Sequence, residues 1–211
     1  MTPLRICYMA MALLLLVLVV MTASVYSQLP AIVPMHWNYK GVADGFGSRA
    51  SVWLTPGLAF GITLLFLGLG FGITKVEKER LSLMWMGVSM LLFFIVLQGL
   101  ILTSSLGYKP DFARWMGSAM SLMFMGMGRS MRDLPRNGLA GIRTPWTMAS
   151  DQAWHIAHQR ASKIIVWFAA AGLLLSLAGF GFAGIVVAAA GLVYTLVDSY
   201  RATRPWRMNT Q

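Results

Sequence analysis

The segment from Gly141 to Thr147 carries more potential chemistry than any other part of this chain. It reads Gly-Ile-Arg-Thr-Pro-Trp-Thr, which places a guanidinium, two hydroxyls, a proline ring and an indole side by side. The guanidinium of Arg143 has the planar fork that binds phosphate through paired hydrogen bonds. A purely structural interpretation also fits, because Pro145 restrains Thr144 to extended backbone and Trp146 suits the headgroup level of a membrane. The sequence leaves binding and structural roles open.

Titratable side chains follow this segment on a predicted helix from Ser150 to Lys163. Ser150 is a favourable N-cap, and Asp151 suits the first turn. On such a helix Asp151, His155 and His158 occupy positions i, i+4 and i+7, which lie on one face. That spacing can hold a metal or serve acid and base chemistry. Since no further strong ligand is in view, we predict neither a metal nor a cofactor, and these three remain the residues to consider for a metal site.

The composition indicates that these polar segments belong to a membrane protein. Of the 211 residues, 57% are hydrophobic and only 11% are charged, and the mean hydropathy is +0.66; a soluble globular surface needs more charge. The net charge of +10 sits in short blocks between apolar runs, which favours membrane headgroups over direct nucleic-acid binding. The predicted fold is therefore an all-α integral membrane protein, with residues 1–211 forming a single membrane domain in the lipid bilayer.

Apolar runs separate the polar segments and predict about six transmembrane helices. A run of about 20 residues crosses the hydrocarbon layer as a helix. The first run also ends in small residues, as a cleaved signal peptide does, but it is long for that purpose. We expect Gln98, deep in the third span, to hydrogen-bond a neighbouring helix. The predicted spans are residues 6–24, 53–73, 81–102 and 112–128, followed by two short helices within residues 164–197 that are joined by a turn at Gly179-Phe180-Gly181.

Residues 28–52 form a polar loop between the first two spans. Two prolines stiffen its entry, and Asp44-Gly45 is a turn signal between two short segments of β character, so we expect a small ordered cap. A histidine beside an indole can help to bind a ligand or an ion, but it is more often a hydrogen-bonded loop residue. The candidate binding residues of this loop are His36, Trp37, Asn38 and Asp44.

The basic residues predict the orientation of the chain. Six spans place both termini on one side, and 13 of the 17 basic residues then fall on that side. Positive charge accumulates on the cytoplasmic side of membrane proteins. We therefore expect cytoplasmic termini in a plasma membrane and an extracellular loop at residues 28–52. The loop at residues 129–163, which contains an amphipathic helix between the fourth and fifth spans, is then cytoplasmic.

Both loops resemble one known family. The outer loop contains Leu29-Pro30, Pro34, His36-Trp37-Asn38, Gly41, Asp44-Gly45 and Gly47-Ser48, and it is similar to the extracellular domain of unknown function of SdpI-type bacterial membrane proteins. The inner segment resembles the cytoplasmic signature of that family. The resemblance implies a cytoplasmic binding site formed by Asn137, Arg143, Thr144, Trp146, Thr147, Trp154 and His158.

What the resemblance implies about function is protection of a cell from a membrane-acting peptide toxin. In the characterised case, the protein also signals by holding a cognate transcriptional repressor at the membrane. The partners expected on this basis are a peptide toxin outside the cell and a regulatory protein inside it. An alternative is a membrane-embedded enzyme or metal-dependent factor that acts on lipid headgroups at the inner leaflet, with Arg143 on a phosphate. A transporter is disfavoured, because few ionisable residues lie deep in the spans.

Overall fold

A computed structural model of the chain describes residues 1–72 and 75–205. Ile73, the predicted end of the second span, and Trp206 and Arg207 near the C-terminus lie outside the described residues. In chain order the helices and strands are α1 (Pro3–Tyr26), β1 (Ile32–Trp37), β2 (Ala43–Ser48), a 3-10 helix (Arg49–Trp53), α2 (Leu54–Gly72), α3 (Glu77–Ser105), α4 (Phe112–Met131), α5 (Asp151–Leu177) and α6 (Gly181–Ala202).

The prediction of an all-α membrane protein is confirmed. Within the described ranges, five helices are long and apolar enough to cross a membrane, namely α1, the 3-10 helix with α2, α3, α5 and α6. Capping side chains fix where several helices begin. Thr2, Asp111 and Ser150 each accept a hydrogen bond from a backbone N–H three residues later, which satisfies one of the free donors of the first helical turn.

Helix α4 is the least apolar of the six helices. Its 20 residues are long enough to cross the hydrocarbon layer, but its buried face carries serines such as Ser118 and Ser121. It packs against α3, α5 and α6. Because three helices pack against α4, its small polar side chains face protein. A smaller part of its surface faces the membrane, so α4 needs fewer apolar residues than a helix with fewer neighbours.

The loop after α1 folds as an antiparallel hairpin of β1 and β2. This confirms the expected β character but not the position of the turn. Asp44 and Gly45 lie within β2, and the turn is at Asn38–Val42. The Asn38 carboxamide accepts hydrogen bonds from the N–H groups of Lys40 and Val42, and Gly41 adopts a positive φ of 74°. The asparagine therefore stabilises a turn for which the Asp-Gly pair is not required.

The connections alternate between two ends of the bundle. The hairpin, the α3–α4 turn and the α5–α6 turn lie at one end, which we call the hairpin end. The chain start, the α2–α3 link, the α4–α5 loop and the end of α6 lie at the other, which we call the loop end. The helix predicted to begin at Ser150 is present, but it continues without a break through residue 163 into the fifth span, so α5 has 27 residues and is not short.

Two buried clusters stabilise the bundle. The larger one joins α1, α2, α3 and α5 with the α4–α5 loop. The smaller one anchors the hairpin, because Leu29 and Val33 pack with Val52, Ile101 and Leu102. Beside it, the Gln98 amide donates hydrogen bonds to the Thr22 hydroxyl and to a backbone carbonyl at distances of 2.8 and 3.0 Å. The predicted interhelical hydrogen bond of Gln98 is thus confirmed.

Candidate functional site

The α4–α5 loop is fastened to α5 by two stacked rings. The Trp154 and His158 rings lie 3.9 Å apart, almost parallel, and both side chains are buried. The Trp154 indole donates a hydrogen bond to the Leu134 carbonyl. His158 Nδ1 lies 2.8 Å from the Trp154 carbonyl, and His158 Nε2 accepts a hydrogen bond from the N–H of Ile142 at 3.0 Å.

These partners fix the proton on the His158 ring. A backbone N–H can only donate and a carbonyl oxygen can only accept, so Nε2 must be unprotonated and Nδ1 must carry the proton. In this conformation the imidazole is neutral, and both of its nitrogens bind the backbone. His158 therefore holds the loop in place and is covered by it.

Gly141 lets the loop approach the stacked rings. Its φ is +105°, a backbone conformation that residues other than glycine rarely adopt. A Cβ atom added there would also meet His158 Nε2 and come within 3.0 Å of the Trp154 ring. Both the backbone angle and the lack of space explain why glycine precedes the Ile-Arg-Thr-Pro-Trp-Thr run.

Asn137, Thr144 and Thr147 organise the loop from within. The Asn137 side chain accepts from the N–H groups of Leu139 and Ala140 and donates to two carbonyls. The Thr147 hydroxyl donates to the Ile142 carbonyl, and the Thr144 N–H donates to the Thr147 hydroxyl at 3.0 Å. These bonds give the loop a defined shape without regular secondary structure.

The loop is also tied to the end of α6. The Trp146 indole donates a 3.0 Å hydrogen bond to the Ser199 hydroxyl, and its ring meets Tyr200 edge-on at 5.2 Å. Next to this contact, Arg160 of α5 forms two hydrogen bonds with the Asp198 carboxylate, at 2.8 and 2.6 Å. Sequence reasoning missed Asp198 and Ser199. A signal was present, since Asp198 directly follows the last apolar stretch and is the one acid after Asp151, and an acid at the end of a span favours a partner.

Arg143 differs from the other predicted residues of this loop. Its side chain is exposed, and it forms no ion pair with any of the residues that the structure describes. It lines the mouth of an apolar groove of about 650 Å³ between α2 and α6. The Thr144 side chain borders the same groove. The network around His158 thus presents the exposed Arg143 guanidinium at the loop end.

The three residues considered for a metal site have separate environments. Asp151 pairs with Arg136 at 2.6 Å, the exposed His155 lies 2.8 Å from the Gln159 amide, and His158 is buried beneath the loop. Over residues 1–72 and 75–205, no three His, Cys, Asp or Glu side chains are grouped to hold a metal. The shared helical face therefore does not create a shared site, because only His158 lies under the loop.

The predicted outer residues all belong to the hairpin. His36 Nδ1 bonds the Asp44 carboxylate across the two strands. Trp37 stacks on Phe112 at the start of α4, with ring centroids 4.1 Å apart, while Asn38 holds the turn. The hairpin is therefore docked against the helices, and each predicted residue contributes to its shape.

Large apolar side chains are exposed on the hairpin and on the neighbouring α3–α4 turn. Ile32, Phe46 and Tyr108 are each more than 60% exposed. They border a groove of about 600 Å³ between the hairpin and the α3–α4 turn, with Lys109 at its edge. An exposed cluster of this kind is typical of a binding surface.

Two family models match the chain at these two places. Residues 13–60 match the domain of unknown function DUF1648, and residues 133–197 match the SdpI/YfhL protein family. The second half of the chain is thus similar to the SdpI/YfhL protein family. It is 27% identical over 182 residues to the Immunity protein SdpI of Bacillus subtilis (strain 168), an alignment that covers 83% of this chain and 85% of that protein. No solved structure matches the chain.

The two matches contain the ordered loops at the two ends of the bundle. The first covers most of α1, the hairpin and the start of α2, and the second covers the α4–α5 loop, α5 and most of α6. Each match therefore combines one of the ordered loops with the helices that hold it. The Gly141–Thr147 segment and the rings of Trp154 and His158 all fall within the second match.

Proposed function

We propose that this protein protects a bacterial cell from a membrane-acting peptide toxin. The observation that carries the proposal is the similarity to the Immunity protein SdpI over 83% of the chain. In the proposed arrangement, the protein resides in the plasma membrane with the hairpin end outside and the loop end in the cytoplasm. The toxin would then meet the hairpin first.

The exposed apolar surface of the hairpin supports toxin recognition at that end. A peptide that acts on membranes has an apolar face, and Ile32, Phe46 and Tyr108 offer an apolar surface beside a groove of about 600 Å³. The surface is preorganised, because Trp37 stacks on α4 and Leu29 and Val33 are buried. Preorganisation lowers the entropic cost of binding.

Substitutions on this surface test the proposal. We expect the double change Ile32→Ser and Phe46→Ser to weaken protection by about tenfold or more, because a few apolar anchors dominate such contacts. Neither side chain belongs to the buried cluster of the hairpin, so protein abundance should stay unchanged. The measurement is survival of a Bacillus subtilis strain that lacks its own Immunity protein SdpI and expresses each variant, when a membrane-acting peptide toxin is added from outside.

The matched control is Leu139→Ser, which removes an equally exposed apolar side chain at the loop end. It should leave survival unchanged. Trp37→Ala should reduce both survival and thermal stability, because the stacked contact with Phe112 is lost. Full survival of cells with the hairpin double variant would contradict toxin recognition at this surface.

We further propose that the loop end binds a regulatory protein. The support for this step is the free guanidinium of Arg143, which the hydrogen bonds of Thr147 and His158 hold at an ordered surface. A guanidinium suits an acidic side chain on a partner protein, because it forms two parallel hydrogen bonds with a carboxylate.

A further inference from the structure

A cleft between α4 and α5 at the loop end collects cationic side chains. It has a volume of about 370 Å³ and is separate from the groove beside Arg143. Two of its basic residues come from the end of α4 and one from α5. The residues that line it are Arg129, Arg132, Gln159, Ser162, Lys163, Val166 and Trp167.

Close packing of the two helices brings these cations together. A Cβ atom added at Gly128 would lie 2.7 Å from the Ile165 side chain, so α4 and α5 approach closely at this level. Arg129 follows Gly128 directly, and Lys163 precedes Ile165 by two residues. The antiparallel helices therefore place their basic residues on either side of one narrow cleft.

The three cations of the cleft lack counterions within the protein. Three other basic residues at this end do have an acidic partner: Lys78 pairs with Asp133, Arg136 with Asp151 and Arg160 with Asp198. In the part of the chain that the structure describes, Arg129, Arg132 and Lys163 have no acidic partner. The Ser162 side chain is only 5% exposed, and among the same residues its hydroxyl has no hydrogen-bond partner. Three cations beside a serine hydroxyl in the lining of one cleft suit an anion that accepts hydrogen bonds.

The position of the cleft indicates the source of that anion. Arg129 and Lys163 each border a stretch without charge, residues 115–128 in α4 and 164–177 in α5, so the cleft lies where the apolar part of the bundle begins. Trp167, one turn beyond Lys163, is 75% exposed. An exposed indole at this level is typical of the membrane interface. The cleft therefore has a cationic rim above an apolar wall.

We propose that this cleft binds the phosphate headgroup of an anionic phospholipid. The Arg129 and Arg132 guanidiniums and the Lys163 ammonium bind the phosphate oxygens, and the Ser162 hydroxyl donates a hydrogen bond to one of them. An acyl chain lies along Val166 and Trp167. Basic pockets between membrane helices suit such headgroups, because the cations attract the negative charge of anionic lipids.

The test compares lipid retention by purified protein in detergent. Native mass spectrometry would measure binding of phosphatidylglycerol and phosphatidylcholine to the parent protein and to the variant Arg129→Gln, Arg132→Gln and Lys163→Gln. We expect the parent to prefer phosphatidylglycerol and the triple variant to bind it at least about tenfold more weakly. Ser162→Ala should cause a smaller loss. Thermal unfolding should stay unchanged, because the three charged side chains are exposed.

A second triple variant separates a specific site from general attraction. Arg143→Gln, Arg201→Gln and Arg204→Gln remove the same charge from exposed positions at the same end. It should retain parental binding of phosphatidylglycerol. An equal loss in this control would overturn the proposal, as would equal binding of phosphatidylcholine. Displacement of the lipid by inorganic phosphate at equal concentration would also overturn it, since the site would then bind a free anion.

Discussion

At the scale of single residues, one run of seven combines side chains that hold the loop with one that is proposed to bind a partner. The sequence left structural and binding roles open, and the contacts show which of these side chains hold the loop. Thr147 bonds the loop backbone and Trp146 bonds Ser199, while the exposed Arg143 borders a groove. A linear sequence could not separate these roles, because the Ile142 N–H bonds His158, which is 16 residues away, and Trp146 bonds Ser199, which is 53 residues away.

The proposed role of Arg143 leads to a prediction about its shape as well as its charge. Arg143→Lys should impair regulator binding nearly as much as Arg143→Ala, because a point charge does not replace the planar fork in a bidentate contact. The measurement is the membrane-bound fraction of a tagged candidate regulatory protein, in cells that express each variant. Arg201→Lys is the matched control and should change nothing. If Arg143→Lys binds as well as the parent, simple charge attraction is the better explanation.

At the scale of helices and strands, periodicity and length were sufficient for much of the fold. The apolar runs predicted the helices, and Gln98 predicted a contact between them. The α5–α6 turn was also predictable, because Gly179 adopts a φ of +96° there. The hairpin turn was not, since Asp-Gly is a stronger local signal than Asn38, whereas Asp44 lies within β2 and bonds His36 across the strands.

The contact between α5 and α6 gives a prediction at this scale. Asp198 is only 9% exposed, whereas Arg160 is 56% exposed. Removing Arg160 leaves a buried carboxylate without its cation, while removing Asp198 leaves a guanidinium that can reach water. We therefore expect Arg160→Ala to lower the free energy of unfolding by about 3 kcal/mol and Asp198→Ala by about 1 kcal/mol.

Urea unfolding of both variants in one detergent would measure this asymmetry. Lys163→Ala is the matched control, because Lys163 lies on the same helix and forms no ion pair with a described residue. It should unfold at the parental urea concentration. Equal losses of unfolding free energy in the two variants would mean that an unpaired Asp198 carboxylate costs no more than an unpaired Arg160 guanidinium.

At the scale of the whole molecule, the two ordered loops lie at opposite ends of one bundle. The larger buried cluster connects α1, α2, α3 and α5 with the α4–α5 loop, and a neighbouring cluster supports the hairpin. The helices thus form a continuous packed path between the surface proposed to meet the toxin and the surface proposed to bind a regulator. Such a path is a physical route for coupling only if the bundle has two arrangements that each ligand favours differently.

The orientation of the bundle is the last prediction, and it rests on the 13 basic residues expected on the loop side. In intact cells, a membrane-impermeant maleimide should label cysteine at position 40 or 42, both exposed on the hairpin. Cysteine at position 143 or 201 should react only after lysis.

Position 45 is unsuitable for this labelling, because a Cβ atom at Gly45 would lie 2.8 Å from the His36 Cβ atom. The native Cys7 is buried, so the parent serves as the unlabelled control. Labelling of position 143 in intact cells would reverse the proposed orientation and place the Arg143 surface outside.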